Sequence, residues 1–320
     1  MSRTETLEKA RDIMAGIAIT GALFLSAVTM PLVSFLSSLF IPLPVMIYRL
    51  KLGRRTGVMI PAAMLVLIAL ILGRVSPDFF LFAGLMGFGF ILGECSEYGY
   101  PVEKTIVYSC GWVITAGFFL LFFYSIAQET GLVEIVSLYI DKNLTMTLSL
   151  YEKVGMPEEN IQMIREALPK IQYALVRIVP SLLISTSFVA GWANILIARS
   201  ILMKKGFDLF QTSGPLNRWR APEMLVWAVI GSGLMIFPDI SGLRLVGVNG
   251  LIICFTIFLF QGIAVTSFIF EKKKFPLLLR VLLYAIIILN QLLLVLLVMV
   301  GFFDVWLNFR KLGPPETTEG

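Results

Sequence analysis

The amino-acid sequence predicts an all-α, polytopic membrane protein, a bundle of about nine transmembrane helices with eight as the alternative count. Hydrophobic residues make up 58% of the 320 residues and charged residues only 15%, whereas soluble domains are about 45–50% apolar and about 25% charged. Residues 58–72 and 251–260 are continuously apolar, which favours helices over the alternating strands of an outer-membrane barrel. Lipid is therefore the predicted solvent for most of the chain.

The first apolar stretch, residues 13–48, is too long for one span. As a continuous helix it would measure about 54 Å, against a hydrocarbon core of about 30 Å. Pro31 is the predicted break, and Pro42 and Pro44 mark a second irregularity. The expected spans are residues 13–29 and 32–48, and the sequence leaves open whether the second one crosses fully or re-enters.

Seven further spans follow along the chain. The last of them carries Asn290 and Gln291 in its middle, so it is predicted to bury two side-chain amides. The seven expected segments are residues 57–72, 78–93, 105–127, 173–203, 221–237, 246–268 and 275–303.

One sizeable polar block, residues 131–170, is predicted as an amphipathic helical insertion outside the membrane. Residues 156–159, Met-Pro-Glu-Glu, are typical of a helix start. Ile161, Ile164 and Leu168 then recur on one helical face. A surface helix is favoured over a partner-binding helix.

The chain is predicted to form a single integral membrane domain, residues 1–320, and residues 313–320 are predicted to be a disordered tail.

The Lys and Arg residues predict an orientation. With nine spans, their clusters near residues 3–11, 49–55, 199–220 and 272–280 all lie on one side of the membrane. Because such clusters mark the cytoplasmic side, the N-terminus is expected in the cytoplasm and the C-terminus outside. The net charge of +5 is assigned to this topology signal, so nucleic-acid binding is not expected.

Residue usage argues against most catalytic chemistry. The chain contains no histidine, the commonest general base and metal ligand. Its three cysteines are scattered and form no disulfide framework or metal motif, and there is no phosphate-binding glycine loop. We therefore expect a protein that is not an enzyme and holds no cofactor or metal. A membrane enzyme acting on lipid is the third-ranked alternative.

Polar residues inside the spans are the remaining candidates for function, because unpaired amides in lipid cost several kcal/mol. They either bond neighbouring helices or line a ligand cavity; they are Asn194, Asn249, Gln261, Asn290 and Gln291.

Glu94 and Glu97 share a helix face three residues apart, and pairing with nearby Arg54, Arg55 or Lys104 is favoured over a proton or cation role.

A stripe of small side chains in the first span, Ala18, Ala22 and Ser26, allows another helix to approach closely. Internal packing is the favoured interpretation, and an interface to a partner membrane protein is the alternative.

The last third of the chain carries a recognisable pattern. It contains, in order, Gly247-Val248-Asn249-Gly250, Phe260-Gln261-Gly262-Ile263-Ala264, and Asp304-Val305-Trp306-Leu307-Asn308-Phe309-Arg310-Lys311. This resembles the YybS-like family of predicted bacterial membrane proteins, in which a Gly-Asn element, a Gln-Gly element and an Asp-x-Trp-x-Asp-x-Arg-Lys-like ending occur in this order. Asn308 stands where that family often has an acid.

The YybS-like family is uncharacterised, but it is distantly similar to the substrate-binding membrane subunits of energy-coupling-factor transporters. The stripe at Ala18 and Ala22 is similar to the docking stripe of those subunits. The resemblance implies a bacterial inner-membrane protein that binds a small molecule and works with an energising transporter module. MreD-like morphogenesis proteins belong to the same broad group, so a scaffold for envelope or division machinery is the second hypothesis.

Together these observations predict a ligand cavity built from five residues: Asn249, Gln261, Asn290, Asp304 and Arg310. Asp304 and Arg310 form a charged rim at the end of the last span. Interfacial anchoring is the simpler role for this rim, and a gate or recognition site is the alternative.

The predicted orientation is testable with reporter fusions at the two chain ends. A fluorescent protein that matures only in the cytoplasm should be active at the N-terminus, and a periplasm-specific phosphatase should be active at the C-terminus. A reversed result at one end only would contradict the nine-span count, and a reversed result at both ends would contradict the predicted orientation.

Overall fold

The computed structural model describes residues 3–73, 77–204, 206 and 215–312. Over these residues the chain forms α-helices and no β-strand, which confirms the all-α prediction. The predicted tail at 313–320 lies outside the described residues. The helices are α1 (Arg3–Thr29), α2 (Pro31–Phe40), α3 (Pro42–Leu52), α4 (Arg54–Gly57), α5 (Met59–Leu72), α6 (Pro77–Glu97), α7 (Val102–Gln128), α8 (Leu132–Lys153), α9 (Glu158–Met203), α10 (Met224–Leu234), α11 (Ser241–Lys272), α12 (Leu277–Leu289) and α13 (Gln291–Leu307).

The described helices are long and apolar enough for a multi-pass membrane protein. Seven candidate spans meet length and composition requirements, and the bent pair α12 and α13 brings the number to eight. The seventh predicted span, residues 221–237, forms a helix only in α10, which has 11 residues and measures about 16 Å. The residues before α10 are non-helical apart from a 3₁₀ turn at Leu216–Arg218.

The predicted proline breaks are confirmed. The first long helix ends at Thr29 and the next begins at Pro31, and a second boundary separates Phe40 from Pro42. Proline has no amide hydrogen and its ring clashes with the carbonyl four residues earlier. Both boundaries therefore follow directly from the sequence.

The polar block forms a helical hairpin rather than one isolated amphipathic helix. α9 begins at Glu158 as predicted, but it continues for 46 residues and includes the sixth span. Ile161 on its predicted apolar face is buried. Arg165 donates to Glu152 of α8 at 2.9 Å, and Gln172 Nε2 donates to Ser137 Oγ at 3.0 Å. These bonds join α8 to the start of α9.

The prediction of one continuous span over residues 275–303, with Asn290 and Gln291 buried in its middle, is wrong. The chain bends by 105° between α12 and α13. Asn290 is exposed, and its side chain accepts hydrogen bonds from the amides of Leu292 at 3.0 Å and Leu293 at 3.3 Å. Asparagine favours this N-cap position because its oxygen satisfies amides that have no partner within the helix. The amide that was expected to bond neighbouring helices starts a helix instead.

The chain divides into two compact units. The first contains residues 1–176 and 186–212, and the second contains residues 177–185 and 213–320. The first unit has a core in which Phe24, Val45 and Met86 are almost fully buried. The second is built around α11, where Phe258 is fully buried and packs with Val226.

Two glycines let α11 and α13 pack backbone against backbone. A Cβ atom on Gly301 would lie 2.6 Å from the amide nitrogen of Gly262 and nearer still to the carbonyl oxygen of Phe258. A Cβ on Gly262 would in turn overlap the carbonyl group of Leu297. Close approach at small residues is a common way for membrane helices to associate, and here it fixes the position of α13.

We expect Gly301→Ala to destabilise the second unit by about 1–3 kcal/mol, because the added methyl group overpacks a backbone contact. Gly233→Ala in α10 is the matched control, since a Cβ there would meet no atom within 4 Å. Thermal unfolding of the purified variants in detergent measures the difference. Equal midpoints for the two variants would contradict the described packing.

Candidate functional site

Three of the five predicted ligand-binding residues meet in the second unit. Asp304 Oδ2 accepts a hydrogen bond from Arg310 Nη2 at 2.7 Å and one from Gln261 Nε2 at 3.1 Å. The arginine and aspartate side chains are 0% and 1% exposed, and Gln261 is also buried. We call these three residues, together with Asn217 and Trp219, the Asp304–Arg310 cluster.

The end of α13 places the two charged residues of the cluster together. Asn308 ends the helix in the left-handed conformation, with φ of 43°, and this turns the chain back on itself. The amide of Phe309 then donates to Asp304 Oδ1 at 3.0 Å. Asp304 thus accepts bonds at both oxygens, and Arg310 returns over the last turn of its own helix.

Arg310 also holds the non-helical segment that precedes α10. Its Nη1 donates to the carbonyl oxygens of Asn217 at 2.8 Å and Trp219 at 2.9 Å. Gln261 Oε1 accepts from the amide of Ala221 at 3.0 Å. Side chains therefore take the place of helical hydrogen bonds along this segment.

The cluster lies deep in the second unit. Gln261 lies about 7 Å from the midpoint of α11, at 1.5 Å per residue. Non-helical backbone at membrane depth is tolerated only where protein buries it or where it lines a water-filled cavity. Ionised side chains buried in a membrane protein are costly and usually functional. The cluster is therefore the candidate functional site.

Two polar atoms of the cluster have no hydrogen-bond partner among the described residues. They are Arg310 Nε, a donor, and Asn217 Oδ1, an acceptor, and both are buried. A buried donor or acceptor without a partner costs about 1–3 kcal/mol. The cluster can therefore donate one further hydrogen bond and accept one.

Asn249 lies away from the cluster and bonds to α9. Its Oδ1 accepts from the amide of Ser181 at 3.0 Å, and its Nδ2 donates to the carbonyl oxygen of Arg177 at 3.0 Å. An uninterrupted helix would join that amide and carbonyl to each other, but Pro180 disturbs the helix here. Asn249 therefore bonds to the backbone of α9 on both sides of Pro180, about 18 Å along α11 from Gln261.

Asn290, the remaining candidate, is the exposed N-cap of α13, and its side-chain oxygen bonds to the amides of Leu292 and Leu293. The described geometry thus brings together Gln261, Asp304 and Arg310 and places Asn249 and Asn290 elsewhere.

The first unit contains a second buried charge, which sequence reasoning missed. Arg49 of α3 is 1% exposed; its Nε donates to Glu94 at 2.6 Å and its Nη2 bonds to Glu97. The shared face of the two glutamates is confirmed, but Arg49 is their main partner, while Arg54 Nε lies 3.5 Å from Glu94. Gly93 makes room for this pairing, because a Cβ there would lie 2.8 Å from Arg49 Cγ.

The predicted partner stripe is split between surface and interior. Ala18 and Ala22 are exposed on α1, whereas Ser26 Oγ donates to Ser37 Oγ at 2.8 Å. In the same unit, Asn194 donates to the carbonyl oxygen of Leu39 at 2.9 Å, next to the proline break of α2. Asn194 therefore joins two helices by a hydrogen bond, which is the role that we favoured for such amides.

Fold and site together define a multi-pass, all-α membrane protein with ionised side chains buried inside it. The family described as "Predicted membrane protein (DUF2232)" matches residues 18–305. The chain belongs to this family, which agrees with the YybS-like resemblance. No curated protein and no solved structure matches the chain.

Replacing the two glutamates that hold Arg49 should have unequal effects. Glu94→Gln should cost roughly 3 kcal/mol, because its side chain is only 11% exposed and its loss leaves a buried guanidinium poorly paired. Glu97→Gln should cost at most about 1 kcal/mol, because its side chain is 55% exposed and water screens the pair. Unfolding midpoints in detergent measure both, and a larger effect at Glu97 would contradict this description of the site.

Proposed function

We propose that the protein binds a small polar molecule within the bacterial inner membrane and does not catalyse a reaction. It acts as the substrate-binding subunit of a transporter and depends on energising partner subunits for movement of the substrate. The binding site is the Asp304–Arg310 cluster.

One observation carries this proposal: a fully buried ion pair lies inside the second unit, beside a non-helical segment of the chain. Arg310 bonds to carbonyl oxygens of that segment and to Asp304. Transporters place substrate sites near the middle of the bilayer, where interrupted helices expose backbone groups that can bind polar ligands. A purely structural ion pair needs no interrupted helix beside it.

The surface of α1 supports the expected partnership with other membrane subunits. Ala18 and Ala22 are exposed one turn apart, and small residues at this spacing let another helix come close. The energising module is the partner that we assign to this face.

A second candidate function is a scaffold for envelope or division machinery. The observation that favours it is α9, which at 46 residues measures about 69 Å, more than twice the thickness of a hydrocarbon core. The hairpin of α8 and the start of α9 therefore extends beyond the lipid, where it can contact proteins.

The proposed function is tested by identifying small molecules that copurify with the protein. The intact protein, Asp304→Asn and Asp239→Asn are purified in mild detergent, and released molecules are identified by mass spectrometry. Asp239 is the matched control because it pairs with Arg244 at the surface of the same unit, with 96% of its side chain exposed. We expect a molecule that the intact protein and the control retain, and at least tenfold less of it with Asp304→Asn.

Equal retention by a folded Asp304→Asn variant would contradict the assignment of the site. Copurification of cell-wall proteins without a small molecule or a transport ATPase would favour the scaffold.

A further inference from the structure

We propose that the Asp304–Arg310 cluster recognises a small organic anion that also carries a hydrogen-bond donor, such as a hydroxyl or ammonium group. This inference rests on the proposed function and names the substrate class of the same site.

The charge around the cluster favours an anion. Asp304 pairs with Arg310 and can neutralise one positive charge only. Arg220 lies against the same chain end, where its Nη2 donates to Asn308 Oδ1 at 2.7 Å and to the carbonyl oxygen of Leu312 at 3.0 Å. Both of these acceptors are neutral, so neither balances the positive charge of Arg220.

The other nearby carboxylate does not remove this excess. Glu271 accepts a hydrogen bond from Asn217 Nδ2, but Glu271 is exposed at the end of α11. Water screens such a charge far more strongly than it screens a buried one. The site and the half-buried Arg220 beside it therefore keep an excess positive charge.

The hydrogen bonds that remain unmade define the second part of the ligand. Arg310 Nε can donate to an anionic oxygen, and charge-assisted bonds of this kind are the strong ones. Asn217 Oδ1 needs a donor. The two atoms belong to one contact set because Arg310 Nη1 bonds to the carbonyl oxygen of Asn217. A ligand with both an anionic oxygen and a hydroxyl or ammonium hydrogen satisfies both.

Carboxylates and phosphates both suit an arginine, and a phosphate can come from a soluble molecule or from a lipid headgroup. The experiment therefore separates these sources. The intact protein is placed in phosphatidylcholine nanodiscs, and the unfolding midpoint is followed with glycolate and glycerol 3-phosphate, each beside its neutral counterpart, glycolamide or glycerol. Acetate, which lacks the hydroxyl group of glycolate, is measured in the same way. A second set of nanodiscs contains phosphatidylglycerol and no added anion.

We expect at least one soluble anion to raise the midpoint and to bind at least tenfold more tightly than its neutral counterpart. Arg220→Gln should weaken binding of that anion about tenfold. Arg244→Gln should leave the binding unchanged, because Arg244 is an exposed arginine elsewhere in the same unit. Asn217→Ala should remove the preference for glycolate over acetate, which lacks the hydroxyl group. This variant keeps the backbone carbonyl that Arg310 binds, so it tests recognition separately from folding.

The outcomes separate the two proposals. Binding of neutral molecules in preference to anions would overturn the anion assignment and leave the proposed function standing. A stabilisation by phosphatidylglycerol alone would support anion recognition with a lipid phosphate as its source, and would contradict a role in transport of soluble molecules. Absence of any stabilisation, with no copurified molecule, would overturn both.

Discussion

A polar group inside a bilayer must find its partner within the protein, because lipid offers none. Much of the described structure follows from this constraint. Asn249 bonds to the amide and carbonyl that flank Pro180, and Asn194 bonds to a carbonyl near the break at Pro42. In both places an amide side chain from a different helix bonds to the backbone near a proline. The irregular parts of the chain are stabilised rather than loose.

The same constraint distinguishes the two buried arginines. Arg49 bonds to two carboxylates on one face of α6, so its surroundings are those of a structural ion pair near a helix end. Arg310 has one carboxylate partner and otherwise bonds to backbone carbonyls of a non-helical segment. The hydrogen bonds of Arg310 to this segment can break when the segment moves. The bonds of Arg49 instead join it to two side chains of a regular helix.

The sequence predicted the environment, the helical class and the proline breaks because each depends on local composition or on a single residue type. It also predicted that Gln261, Asp304 and Arg310 act together. It failed at Asn290, where the same amide can bond a neighbouring helix or cap its own, and only the path of the chain decides between them. It gave Arg49 no role at the glutamates, because pairing over 45 residues leaves no periodic signal in the sequence.

Arg310 lies beyond the end of the family match. The family match ends at residue 305, so it includes the acid of the buried pair and stops before the base. A chain shortened to that boundary would leave Asp304 without its cation and without the amide of Phe309, which also bonds to it. A buried carboxylate without these partners would destabilise the folded unit. Truncation at residue 305 would therefore yield a chemically different interior, and the residues up to Arg310 belong with the core of the second unit.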